Sequence, residues 1–225
     1  MATLKTRAWR SLAALAAVMG LVLFLSAGTL RYWNAWGYLV LFFGLASAMT
    51  QDMVRRDPAL LARRVRGGPG AEPRPLQRLL MLGASLGFVA LMVVPALDFR
   101  FKWSTVPLGG VLLGAALFVL GFGLIGRVYR ENTYGAATVE VMPGQRVIDT
   151  GPYAVVRHPM YAGGLVYLVG TPLALGSYYG LLAVAFALPF LIGRLLDEER
   201  VLTRDLPGYS EYRCRVRHRL VPFLW

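Results

Sequence analysis

The stretch MYAGGLVYLVGTPLALGSYYGLLAVAFALPFLIGRLL, residues 160–196, decides the fold. As one helix its 37 residues would run about 55 Å at ~1.5 Å per residue. The hydrocarbon core of a bilayer is only about 30 Å thick. The stretch must therefore fold back, and Gly170-Thr171-Pro172 and Gly176-Ser177 supply the breakers. It reads as a helical hairpin turning near residues 176–180, with Pro189 as a kink site in the second arm.

Four further segments are long and apolar enough to span: residues 12–30, 33–50, 79–97 and 105–126. The chain is 56% hydrophobic and only 16% charged, where a soluble domain carries about 25% charged residues. Its mean hydropathy is +0.53. The expectation is an all-α, polytopic membrane bundle of five or six segments, with the hairpin at its C-terminal side. The first segment has the basic flank and Ser26-Ala27-Gly28 of a signal peptide, but its 19-residue apolar run favours a retained helix.

The net charge of +12 would suggest nucleic acid in a soluble protein. Sorting the charges changes that meaning. With the N-terminus in the cytoplasm and six segments, 21 of the 24 Lys and Arg residues fall on one side, leaving only Arg31, Arg100 and Lys102 opposite. This places both termini in the cytoplasm, with no nucleic acid as partner. Of twelve carboxylates, only Asp98 falls on the far side. Polar chemistry is thereby confined to the cytoplasmic segments 51–78, 127–159 and 197–225. The chain divides into N-terminal membrane helices with a basic loop at 51–78 (residues 1–126) and a cofactor-binding region with hairpin and tail (residues 127–225).

Local signals carry bland readings beside functional ones. Gly121-Phe122-Gly123-Leu124-Ile125-Gly126 matches a dinucleotide fingerprint, but it lies inside a membrane segment with no strand before it. Gly83/Gly87 and Gly110/Gly114 suit close helix packing. The Arg-rich loop 51–78 reads as a basic interfacial helix over 55–66 that anchors to membrane lipids. Residues 127–159 alternate and are punctuated by Gly and Pro, which fits a small irregular or hairpin structure. Pro159 disfavours helix at His158 and can open the next helix. Arg157 and His158 then mark either the interface or an anion-favouring site at a helix N-terminus. Asp197-Glu198-Glu199 is either a solvated acidic turn or, if the helix runs on to about Asp205, a cation-attracting run with Arg194 and Glu198 as i,i+4 neighbours. The tail, with Tyr209, Tyr212, four arginines and an apolar end, is an interfacial anchor or lid. Cys214 reads as a plain buried thiol, and one cysteine and two histidines offer no metal site.

Taken in order, Gly151-Pro152-Tyr153-x-x-x-Arg157-His158-Pro159-x-Tyr161-x-Gly163, Glu198-Glu199-x-x-Leu202 and Gly208-Tyr209-x-x-Tyr212-x-x-x-Val216 resemble the isoprenylcysteine carboxyl methyltransferase and phospholipid methyltransferase superfamily over roughly residues 127–225. The resemblance implies S-adenosylmethionine as cofactor and a hydrophobic methyl acceptor. It implies a cofactor segment of Gln145, Arg146, Val147, Ile148, Tyr153, His158, Pro159, Met160 and Tyr161, closed by Glu198 and Glu199. Arg157 would bind the cofactor carboxylate or orient the acceptor, and Glu198 or His158 would serve as base toward an amine. The arginine that recognises the acceptor in the prenylcysteine branch falls by spacing on Leu195, with Arg194 adjacent as the substrate-binding candidate. Membrane sterol reductases that use NADPH share a His-Pro-x-Tyr-x-Gly-Glu motif. Here the last position is Gly164, and the distal acidic pair is present, which favours methyl transfer over reduction. A non-catalytic lipid-binding protein is the third reading.

Overall fold

The computed structural model describes residues 2–65 and 67–225. The helices are α1 (Ala2–Ala27), α2 (Trp33–Arg56), α3 (Pro58–Arg64), α4 (Pro75–Phe101), α5 (Leu108–Glu131), α6 (Pro159–Ala174), α7 (Gly180–Asp205) and α8 (Tyr209–Arg215). Five of them, all but α3, α6 and α8, are long and apolar enough to cross a membrane. No strand occurs among the described residues, so 127–159 takes the irregular of its two expected forms. The outward faces carry exposed Leu25, Val40 and Leu108, each 72% accessible. Water would not tolerate such a surface, and lipid does.

The hairpin turns where its breakers predict. α6 ends at Ala174, Gly176 takes φ +81°, and α7 begins at Gly180. A Cβ on Gly176 would also lie 2.5 Å from the Asn34 amide nitrogen, so the turn is seated against the start of α2. At the other end Pro159 opens α6 at its first position, after an extended His158. α7 continues without interruption through Pro189 to Asp205, so the acidic run lies on a helix rather than in a turn.

α5 and α6 meet backbone to backbone. A Cβ on Gly121 would sit 2.5 Å from the Gly163 carbonyl, and one on Gly170 would sit 2.6 Å from the Gly114 carbonyl. The G-x-G-x-x-G run thus places Gly121 in a helix contact, while Gly123 faces open space. Gly83 and Gly87 receive Phe190 and Ala187 of α7. Gly110 departs from the expected pattern, because it meets only Val106 and Pro107 of the preceding loop. The bundle core closes on Phe118, which is fully buried among Tyr38, Phe42, Phe122 and Tyr167.

The two ends of the bundle are built differently. The far end is pinned by buried Asp98, which accepts from the Ser104 amide (2.7 Å), the Ser104 hydroxyl (2.6 Å) and the Ser177 hydroxyl (2.5 Å). Tyr32 adds a hydrogen bond to the Leu175 carbonyl at 2.5 Å.

The other end holds the loops. Here the expected single helix over 55–66 is broken at Asp57, its last residue lies outside the described residues, and several of the loop's arginines make internal ties. Asp57 breaks the helix and caps α3 through the Leu60 amide at 2.8 Å. Arg63 donates to the Thr133 carbonyl, Arg64 to the Ala136 carbonyl, and Arg74 forms a two-pronged pair with Asp197. The loop is consequently held down on residues 132–139 and α7. The expected burial of Cys214 is also corrected, since its side chain is exposed on α8.

Candidate functional site

A cavity of about 620 Å³ opens at the loop end, among α2, α4, α5, α6, α7 and the irregular 132–148 segment. Phe42, Phe88, Phe122 and Leu191 line its deep part, within the apolar layer of the bundle. Its outer part is lined by polar residues. The start of α6 contributes His158, Met160 and Tyr161, and α7 contributes Arg194, Glu198 and Leu202. The irregular segment covers them with Asn132, Tyr134, Gln145, Arg146 and Ile148, while Tyr153, Tyr209 and Tyr212 close one side.

Of the residues singled out in the sequence, Gln145, Arg146, Ile148, Tyr153, Arg157, His158, Pro159, Met160, Tyr161, Arg194 and Glu198 share this one cavity. Val147 and Glu199 are not brought to it. Val147 packs against buried Leu206, Tyr209 and Tyr212. Glu199 is turned about 100° away around α7, as adjacent residues on a helix are, and points to Arg157 and Arg219 beside the cavity.

Glu199 instead forms the hub of a buried ion-pair cluster. Arg157 Nε reaches it at 2.7 Å and Arg219 Nε at 2.9 Å. Arg157 also donates to the Val216 and Arg217 carbonyls at 2.9 and 2.7 Å. The amides of Arg157 and His158 donate to the His218 and Arg219 carbonyls at 2.9 and 3.0 Å. Residues 216–219 are thus strapped across the entrance to α6. No side-chain pattern announces these ties, because they run through main-chain carbonyls.

Glu198 is placed differently. Its one hydrogen bond among the described residues is from the Tyr161 hydroxyl, at 2.7 Å, and it forms no ion pair there. It is a half-buried carboxylate with acceptor capacity directed at the cavity. The Tyr209 hydroxyl is buried with no partner among the described residues, and so is His158 Nε2, which stands 3.7 Å from Glu199. Buried polar groups are ordinarily satisfied. The Tyr209 hydroxyl on the cavity wall is therefore open to a ligand's polar group, whereas His158 Nε2 faces the Glu199 carboxylate.

The tyrosines outside the membrane helices are held neutral. Burial pushes the Tyr153 phenol up to about 12, against a hydrogen bond from Asn132. Tyr209 and Tyr212 are raised further, again chiefly by burial. They act as donors and as ring surfaces, not as bases.

Glu72 and Gln77 are site residues that the sequence reading missed. Arg194 is not free to meet a substrate, because it pairs with Glu72 at 2.6 Å and donates to Gln77 Oε1 at 2.7 Å and the Ala137 carbonyl at 2.8 Å. The available signal was that Glu72 is the only acid between Asp57 and Asp98.

The model of the phospholipid methyltransferase family matches residues 110–206, which take in α5, α6, α7 and most of the cavity's polar wall. Three curated relatives are similar at low identity. The nickel-cobalt-cadmium resistance protein NccN of Alcaligenes xylosoxydans xylosoxydans is 25% identical over 150 residues, covering 64% of this chain and 68% of the relative. The protein-S-isoprenylcysteine O-methyltransferase of Schizosaccharomyces pombe is 29% identical over 107 residues, covering 43% and 45%. The Delta(14)-sterol reductase of Mus musculus is 28% identical over 129 residues, covering 51% and 31%. The chain thus spans less than half the length of the last two. Among the described residues, no group of three or more His, Cys, Asp or Glu side chains is placed to hold a metal ion. The motif order, the helical hairpin and the family match agree: over residues 110–206 the chain is similar to the phospholipid methyltransferase family, and over a shorter stretch to an isoprenylcysteine methyltransferase.

Proposed function

We propose that this protein transfers a methyl group from S-adenosylmethionine to a hydrophobic acceptor drawn from the bilayer. The observation that carries the reading is the single cavity that joins a polar compartment beside Glu198 to an aromatic compartment at membrane depth. The cofactor fits the residues present. The unpaired Glu198 carboxylate suits a cationic group, and the unsatisfied Tyr209 hydroxyl and the Tyr153 and Tyr212 rings suit an adenosine. Arg146 is exposed at the mouth and, among the described residues, forms no ion pair, so it suits the cofactor carboxylate together with the N-terminus of α6.

When bound, the cofactor supplies an electrophilic methyl on a sulfonium. The rest is positioning by the chain. Phe42, Phe88 and Phe122 orient an apolar tail and keep water from the deep compartment. Glu198 or His158 Nε2 can accept the proton of an amine acceptor, whereas a carboxylate or thiolate needs no base. The asymmetry of 21 basic residues to 3 supports a cytoplasmic site with both termini on that side.

A reductase reading has one observation in its favour, the similarity to the sterol reductase. Against it, the position where that motif carries Glu is Gly164, which lines the cavity without a carboxylate. Purified protein incubated with methyl-labelled cofactor and native lipid extract is expected to yield a labelled lipid-soluble product. Titrations with S-adenosylmethionine and NADPH separate the readings. Binding of NADPH alone would overturn this one in favour of reduction, and binding of neither would leave a lipid-binding protein.

A further inference from the structure

The pair Glu72–Arg194 joins the loop between α3 and α4 to the cavity wall. Glu72 has no accessible side-chain surface and Arg194 has 10%. Glu72 also accepts from the Val139 amide at 3.3 Å, and Gln77, itself buried, donates to Asp197 at 2.5 Å. Arg194 is thus gripped on three sides by groups from outside its own helix: Glu72, Gln77 and the Ala137 carbonyl. It also faces Tyr161, the phenol that donates to Glu198.

Arg194 and Glu198 stand four residues apart on α7. That spacing puts their side chains within reach of each other on any helix. In the structure they form no pair, because Arg194 is held by Glu72 instead. Resting on the methyltransferase reading, we propose that Glu72 is a positioning residue. By holding Arg194, it keeps Glu198 unpaired and available to the positive charge of the cofactor. Glu72 and Gln77 lie outside residues 110–206, so the N-terminal part of the chain sets the charge state of a wall supplied by the C-terminal part. Loss of the Glu72 charge frees a guanidinium one helical turn from Glu198. The two then pair, and the cavity loses its available carboxylate.

The test uses the full-length protein in detergent with S-adenosylmethionine as the titrated probe. Glu72→Gln is expected to weaken binding by about tenfold or more, the scale of an opposite charge arriving beside a carboxylate. The double variant E72Q/R194Q is expected to return to within about threefold of wild type, because no cation remains to compete; one such decade is about 1.4 kcal/mol. R194Q alone is expected to lose stability, because Glu72 is left buried without its counter-charge. A second readout needs no cofactor. A thermal-stability cycle between Arg194 and Glu198 should show no coupling in the wild-type background and favourable coupling in E72Q.

Unchanged binding in E72Q, a double variant as weak as the single, or absence of coupling in the E72Q background would each overturn the proposal. If wild type fails to bind the cofactor, the methyltransferase reading falls, and the stability cycle still decides the Glu72 role. Glu72→Asp, which retracts the carboxylate by one methylene, carries the same expectations in smaller measure should E72Q be too unstable to purify.

Discussion

Both ends of the bundle bury a carboxylate, and they handle it in opposite ways. At the far end Asp98 is satisfied by three neutral donors from Ser104 and Ser177, which tie α4 to the hairpin turn. At the loop end Glu72, Asp197 and Glu199 are each matched by arginine, and Glu198 has only a phenol. Burial of a charge therefore does not mark a site by itself. A satisfied carboxylate is architecture, and the one left short of partners, on a cavity wall, is where a ligand completes the set.

Removing the hub of the arginine cluster is expected to have the largest effect. Glu199→Ala leaves buried Arg157 and partly exposed Arg219 without a counter-charge and should cost about 3–5 kcal/mol in thermal unfolding. It should also loosen the 216–219 strap, read as faster proteolysis of the tail. Glu198→Gln breaks the comparison from the other side. It should cut cofactor affinity about 100-fold, near 2.7 kcal/mol, while barely shifting the unfolding midpoint.

Gly121→Val drives a side chain into the Gly163 carbonyl and the start of Tyr167, and should cost at least about 1–3 kcal/mol by overpacking. Asp98→Ala strands the Ser104 and Ser177 donors and should cost about 1–3 kcal/mol with cofactor affinity unchanged. If Asp98→Ala instead lowered affinity, the separation of the two ends would fail.

The smallest effect concerns Tyr153. Its folded phenol titrates at about 12, against 10.0 for the unreacted group. The folded state therefore retains a proton that the unfolded state has released, so stability is full below pH 10 and declines as pH rises toward 12. Tyr153→Phe should flatten that decline and cost about 1 kcal/mol through the lost Asn132 bond. Unfolding midpoints across this pH window measure both.

Much of the fold was legible because its signals are local. The apolar excess, the breakers around Gly176 and the Pro159 start of α6 each act within a few residues of themselves. The extension of α7 to Asp205 was one of two readings that the acidic run left open, and it is the one that avoids the dipole penalty of ending a helix on acids. The site was legible in part. His158, Tyr161 and Glu198 converge as the motif order implies. Three things were hidden, each for a physical reason. Glu198 and Glu199 are adjacent in sequence, and only the rotation of α7 turns one to the cavity and the other to the arginines beside it. Arg194 has an in-helix partner at i+4, yet it takes one from a loop more than a hundred residues away. The basic loop reads as a lipid anchor, and its pattern does not show that Arg63, Arg64 and Arg74 bond to the 132–139 backbone and to Asp197.

In the proposed function an unpaired Glu198 makes this cavity a site for S-adenosylmethionine. The most direct test is a pair of calorimetric titrations of that cofactor into wild-type protein and Glu198→Gln under the same detergent conditions. The account predicts saturable binding to wild type and a loss of about two decades in the variant. No binding to wild type, or equal binding to both, would contradict it.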